Sequence, residues 1–169
     1  LINLGPRIGK FNADGTANQI RGHSLPMTIT GLMLIVVGFF GFIGACVLYN
    51  YGPNGQWENI YGGATTLSAY TFNTLMAVAG GIIGCYVMTR DPFWMMSGAL
   101  CGVISAAAGL DLWYPAQAFG IAFAGGLLGP WAAQQLEKMG IDDAVGAVSV
   151  HGICGVWGLL AVGIFLGGY

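Results

Sequence analysis

The stretch IDDAVGAVSVHGICGVWGLLAVGIFLGGY, residues 141–169, decides the fold class. From Ala144 to Leu166 only His151 can ionise. A helix rises about 1.5 Å per residue, so this run crosses an apolar layer of about 30 Å and predicts a transmembrane helix over 144–167. Asp142 and Asp143 stand where an N-cap and first turn favour negative charge. Gly152, Gly155 and Gly158 recur every third residue and leave one flank thin enough for a neighbouring helix. His151 has two readings here. A charge near the centre of a span costs at least about 2.5–3.5 kcal/mol, so an ionisable group there marks a functional site facing protein or water. The other reading is a neutral imidazole that hydrogen-bonds a neighbouring helix.

Composition agrees with a membrane protein. The 169 residues are 56% hydrophobic and 7% charged, with 30 glycines and a mean hydropathy of +0.71, the profile of a helical integral membrane protein. A net charge of −2 without a basic run points away from nucleic acid. Cys46, Cys85, Cys101 and Cys154 fall in apolar stretches without a CxxC pair and read as small buried hydrophobes, not metal ligands. His151 and Cys154 share a face of a regular helix, but two ligands do not make a metal site. Nucleophile, paired-carboxylate, phosphate-loop and redox motifs are missing, so no enzyme and no cofactor is expected. The chain opens on Leu1 without a signal peptide, which reads as a fragment or a processed chain.

Taken in order, residues 1–26 mix Gly, Pro, Asn and Asp without a period and read as an aqueous loop, with His23 an interfacial polar residue. Helices are predicted over 27–49, 64–88, 93–110, 115–135 and 144–167 within one membrane domain. Gly80-xxx-Gly84, Gly98-xxx-Gly102 and Gly125-xxx-Gly129 give close-packing spacings in the middle three. Pro130 suits a kink in the last turn of the fourth, and residues 134–141 read as a polar connection. Arg7, Lys10 and Arg21 precede the first helix, Arg90 follows the second and Lys138 the fourth. All five basic residues then fall on one side, which places the N-terminus in the cytoplasm and the C-terminus outside.

These residues resemble a known family. GPRIGKFN at 5–12, GHSLPMTITG at 22–31, GFFGF at 38–42, FNTLMA at 72–77 and IDDAVGAVSVHGICGVWGLLAVGIF at 141–165 resemble the ammonium transporters of the Amt branch, related to Mep and Rh proteins. The resemblance implies an eleven-helix bundle of inverted five-helix repeats plus a final helix, assembled as a homotrimer in the cell membrane, with a hydrophobic pore in each subunit. This chain is similar to helices six to ten, the second repeat, preceded by a cytoplasmic loop. His151 then corresponds to the second of two paired pore histidines, and Phe42 to one ring of a stacked phenylalanine gate; their partners belong to the first repeat. Phe39 stands where a Trp is common. Ile43 stands where an Asn is usual, and Cys46 replaces a Ser that helps receive ammonium at the outer vestibule, its thiol being a poorer acceptor than a hydroxyl. Gly146 stands where the family often has an Asp.

Three functions follow as expectations. The first is conduction of ammonium or ammonia through a pore lined by Phe42 and His151, with Phe39 and Cys46 beside it. The second is an ammonium-sensing receptor of the same fold, suggested by Cys46. The third is a transport-inactive half-protein that serves as a structural subunit of a larger membrane complex, because five helices lack the other repeat of the pore.

Overall fold

The computed structural model describes residues 2–47, 50–51, 55–58 and 64–166. Five helices carry the fold: α1 (Leu25–Val47), α2 (Leu67–Thr89), α3 (Pro92–Ala106), α4 (Pro115–Lys138) and α5 (Cys154–Phe165). A 3₁₀ turn, Ala107–Gly109, extends α3, and a π-helical segment, Val148–Ile153, leads into α5. Two short antiparallel strands, Asn50–Tyr51 and Trp57–Glu58, pair between α1 and α2. The expected helix ends at 48–49 and 167 lie outside the described residues.

Local chemistry sets the helix boundaries. Ser24 precedes α1 and its Oγ accepts from Met27 N at 3.4 Å, so that helix starts two residues before position 27. Thr66 caps α2 by accepting from Ala69 N, which moves its start from 64 to Leu67. Arg90, at φ 54°, ends α2 in the left-handed region, and Asp91 caps α3 by accepting from Phe93 N and Trp94 N at 2.9 and 3.2 Å. The residues expected to be a polar connection, 134–138, instead complete α4 beyond Pro130.

Glycine decides how the helices pack. Gly80 and Gly84 of α2 meet the Phe119 and Phe123 carbonyls of α4, Gly81 meets Gly98 and Gly102 of α3, and Gly125 and Gly129 of α4 meet Ser105 and Cys101 of α3. The Gly80/Gly84 and Gly98/Gly102 pairs are therefore backbone contacts, the Gly125/Gly129 pair makes room for the Ser105 and Cys101 side chains, and α2 is sandwiched between α3 and α4. Matching residues rise together along α2 and α4 but run oppositely along α2 and α3, so neighbours in sequence alternate direction. Residues 2–24, 90–91 and 139–146 consequently share one end of the bundle, and Arg7, Lys10, Arg21, Arg90 and Lys138 lie at that end.

Among the described residues four segments are long and apolar enough to cross a membrane: Leu25–Cys46, Leu67–Thr89, Pro92–Gly109 and Val148–Phe165. The chain is an integral membrane protein with a helical fold. Helix α4 is less apolar because small residues line its buried stripe: Ala118, Ala122, Gly125, Gly126 and Gly129 all face its neighbours. Several polar groups inside the bundle bond to main-chain carbonyls. Trp113 Nε1 donates to Ala106 O at 2.8 Å, Trp157 Nε1 to Ile121 O at 2.9 Å, and Tyr70 Oη to Phe40 O at 2.9 Å, which ties α1 to α2.

Residues 2–24 are more ordered than a loop without a period suggests. Phe11 bridges Ala17, Asp14 Oδ1 accepts from Thr16 N at 2.9 Å, and Asn18 Nδ2 donates to Gly9 O at 3.0 Å. This arm is held on the bundle by two ion pairs. Arg7 donates through Nε and Nη2 to Asp142 at 2.7 and 2.8 Å, and buried Lys10 pairs with Glu137 of α4. Asp142, expected in the first helical turn, is an anchor for the arm instead.

The Arg7 hydrogen bonds lower the Asp142 carboxyl from its ordinary 3.8 to about 2. A depressed carboxylate stabilises the folded form fully above its unfolded value, and that contribution disappears as pH falls through the folded one. Asp142→Asn removes about 1 kcal/mol of docking, the upper end for a partly exposed pair, which corresponds to roughly fivefold faster trypsin cleavage after Arg7 and Lys10. In the unmutated protein docking should hold from pH 7 to pH 5 and loosen only below about pH 4, read as pepsin cleavage within the arm.

Candidate functional site

The candidate residues sit on two elements. Phe39, Phe42 and Cys46 follow one another at three- and four-residue intervals and share a face of α1. Phe39 is half-buried against the core, and its ring meets that of Phe42 edge to face at 6.4 Å and 78°. Phe42 is 65% exposed. Cys46 is exposed too, unlike Cys85, Cys101 and Cys154, which are buried together between α2, α3 and α5. The expectation that all four cysteines are buried fails at Cys46, because α2 to α5 do not cover this face of α1.

His151 lies in the π segment before α5. The chain reaches it through Gly146, at φ 74°, where a left-handed turn brings Asp143 back over the first helical amides. Asp143 Oδ2 accepts from Val148 N at 3.0 Å and Ser149 N at 3.1 Å, while Val150 N donates to Gly146 O at 2.7 Å. These bonds start the helix at Val148 and not at 144. Cys154 N then donates to Ser149 O, five residues back, which defines the wide turn.

That turn separates two residues that a regular helix would put together. Cys154 is fully buried, whereas His151 is exposed and makes no hydrogen bond to another described residue. It also breaks up the expected glycine flank. A Cβ on Gly158 would meet Ser105 O of α3 at 2.6 Å, but one on Gly152 or Gly155 would reach only side-chain methyls at 3.8 and 3.9 Å.

Helix α1 packs on α2 and α3, while the π segment packs on α3 and α4. Among the described residues no hydrogen bond or ring contact joins His151 to Phe39, Phe42 or Cys46. An open groove along the start of α2, lined by Thr66, Ser68, Ala69, Thr71, Phe72 and Leu75, contains none of them. Among the described residues no group of three or more His, Cys, Asp or Glu is placed to hold a metal ion.

Two residues matter more than the sequence alone suggested. Asn73 is buried within FNTLMA and donates through Nδ2 to Leu110 O at 2.9 Å and Trp113 O at 2.7 Å, closing the turn after α3. An amide inside an apolar span needs such partners, and that was its available signal. Asp143 was recognisable as a cap, but its reach over Gly146 was not.

A model of the Ammonium Transporter Family matches residues 1–169. The chain belongs to this family. Ammonium transporter Amt2 of Archaeoglobus fulgidus is 32% identical over 171 residues, covering 98% of this chain and 34% of that protein. Ammonium transporter Amt2 of Methanocaldococcus jannaschii is 35% identical over 162 residues, covering 95% and 35%. A solved structure described as a Sensor Amt Protein superposes with a TM-score of 0.82 at 31% identity, covering 97% of this chain and 39% of its own. The chain thus spans about a third of the length of the curated Amt relatives it matches.

Proposed function

We propose that the chain forms one repeat of an ammonium transporter that conducts ammonium or ammonia through a hydrophobic pore lined by Phe42 and His151. The observation that carries the proposal is His151: an exposed imidazole with no hydrogen-bond partner among the described residues, in a helix otherwise apolar enough to span the membrane. Facing lipid, that group would gain nothing; facing a narrow pore, it can take up or pass on a proton.

The order of events follows the chemistry of each group. Ammonium arrives at the outer end of α1, where Cys46 stands beside the entrance and offers a poor acceptor. The Phe42 ring, backed edge-on by Phe39, excludes water and presents a π face to the cation. Beyond the ring a bare cation is costly, so the proton leaves and the nitrogen passes His151 as ammonia, to which the imidazole donates or from which it accepts. The other wall of the pore comes from a second repeat that pairs with this one, and such subunits assemble as a homotrimer. The clustering of all five basic residues at one end supports an arrangement with the N-terminal arm in the cytoplasm and the end of α5 outside, in the cell membrane.

Ammonium-jump currents on the native protein in proteoliposomes test this. His151→Ala should lower the saturable current at least tenfold while leaving the protein assembled. An unchanged current would remove His151 from the pathway. The likeness to a sensor protein and the thiol at Cys46 favour a second reading, an ammonium receptor. That reading predicts saturable ammonium binding with no current in the unmutated protein.

A further inference from the structure

We propose that Asp143 is a positioning residue: it anchors the π turn that rotates His151 out of the helix packing and into the open. The proposal rests on the pore reading for the use of His151, but its geometry stands on the helix alone.

The packed face of α5 is fixed independently of His151. Gly158 lies against the Ser105 carbonyl of α3, Cys154 Sγ donates to Gly125 O of α4 at 3.4 Å, and Trp157 Nε1 reaches Ile121 O. His151 is seven residues before Gly158. In a regular helix seven residues turn about 700°, within about 20° of two full turns, so position 151 would fall on the Gly158 face and press the imidazole against α3. The same regularity would stack it one turn before Cys154, which is buried. The observed His151 lies within the widened turn between Ser149 and Cys154, where one extra residue is accommodated, so it is turned away from α register by part of one residue's rotation of roughly 100°.

A π turn has poorer intrinsic standing than an α turn, so something must hold its start. The Val148 and Ser149 amides are the first orphan donors of the helix, and both are taken by Asp143 Oδ2. The Ser149 hydroxyl donates to Gly146 O at 3.0 Å and fixes the same turn from its other side. Asp143 is itself held in place, since the adjoining Asp142 accepts from Arg7 N, Nε and Nη2. Ser149 and Val150 are buried while His151 points away from them. Without the carboxylate, the segment can slide into α register, which turns His151 towards α3.

The test uses the native full-length protein in bilayers with ¹⁵N-labelled histidine, the His151 ring resonances being assigned by their loss in His151→Ala. Asp143→Ala should shift the His151 ring resonances and lower the maximal ammonium current at least tenfold with KM changed less than twofold. Asp143→Asn keeps an oxygen acceptor and should restore both resonances and current to within about threefold. Unmoved His151 resonances in Asp143→Ala would overturn the proposal. If Asp143→Ala does not assemble, Asp143→Ser takes its place, because its shorter side chain cannot span both amides; the same shift is expected and its absence is equally decisive. A shifted resonance in a protein whose unmutated form carries no current would retain Asp143 as the positioning residue and reject the pore.

Discussion

Gly81→Val should abolish the folded bundle. A side chain at Gly81 is directed into the α3 backbone: its Cβ would overlap the Gly98 carbonyl and come within 2.6 Å of Gly102 Cα and N. Neither neighbour is a side chain that can rotate aside. Retreat on the other flank is blocked, because Gly126 of α4 packs there so closely that a Cβ on it would fall 2.4 Å from Gly81 O and 3.0 Å from Cys85 N. Overpacking usually costs about 1–3 kcal/mol when side chains can adjust; here two helices must separate, and the expected loss exceeds about 3 kcal/mol. Size-exclusion chromatography and thermal unfolding in detergent should show no monodisperse folded species. Gly120→Ala supplies the contrast, since no atom lies within 4 Å of its added methyl. That variant should differ by less than about 1 kcal/mol, the helix-propensity difference between the two residues.

Asn73→Leu carries the second largest effect. The side chains are similar in volume, so packing is kept and only the two donated bonds to Leu110 O and Trp113 O are lost. Both carbonyls belong to the turn between α3 and α4, and Leu110 and Trp113 are themselves buried. Leaving each without its partner costs about 1–3 kcal/mol, so the variant should be about 2–4 kcal/mol less stable in a reversible unfolding assay, allowing for some relaxation of the turn. Hydrogen exchange should rise first at 107–114, where the bonds end. A loss below about 0.5 kcal/mol would mean that the turn is held by packing of the Trp113 ring and not by the amide.

The sequence made the existence of the helices legible because their apolar runs are long, and it made the middle contacts legible because glycine spacing has a direct steric meaning. What it did not reveal has physical causes. Gly80 and Gly84 were visible as a pair, but Gly81, one residue on, faces a different helix, and no spacing rule distinguishes the two sides of a sandwiched helix. The π turn at His151 left no mark, since the run around it is apolar on every side and offers no polar face from which to read a phase. Its effect reached the site: it set His151 apart from Cys154 and limited the close glycine contact to Gly158. The arm was read as aperiodic because it is ordered by single side chains, Asn12, Asp14 and Asn18, and by charges that meet partners more than a hundred residues away.

At the site, the residue types were legible in the sequence but their surroundings were not. The helical spacing of Phe39, Phe42 and Cys46 was enough to put them on one face. What lay beyond the sequence was their exposure, which depends on which faces of α1 the other helices leave open.

Conduction is tested by the current evoked by an ammonium concentration jump across proteoliposomes containing the native protein. A pore past His151 gives a saturable, ammonium-dependent current that falls at least tenfold in His151→Ala. Tight ammonium binding with no current in the unmutated protein, or a current indifferent to His151, would contradict it.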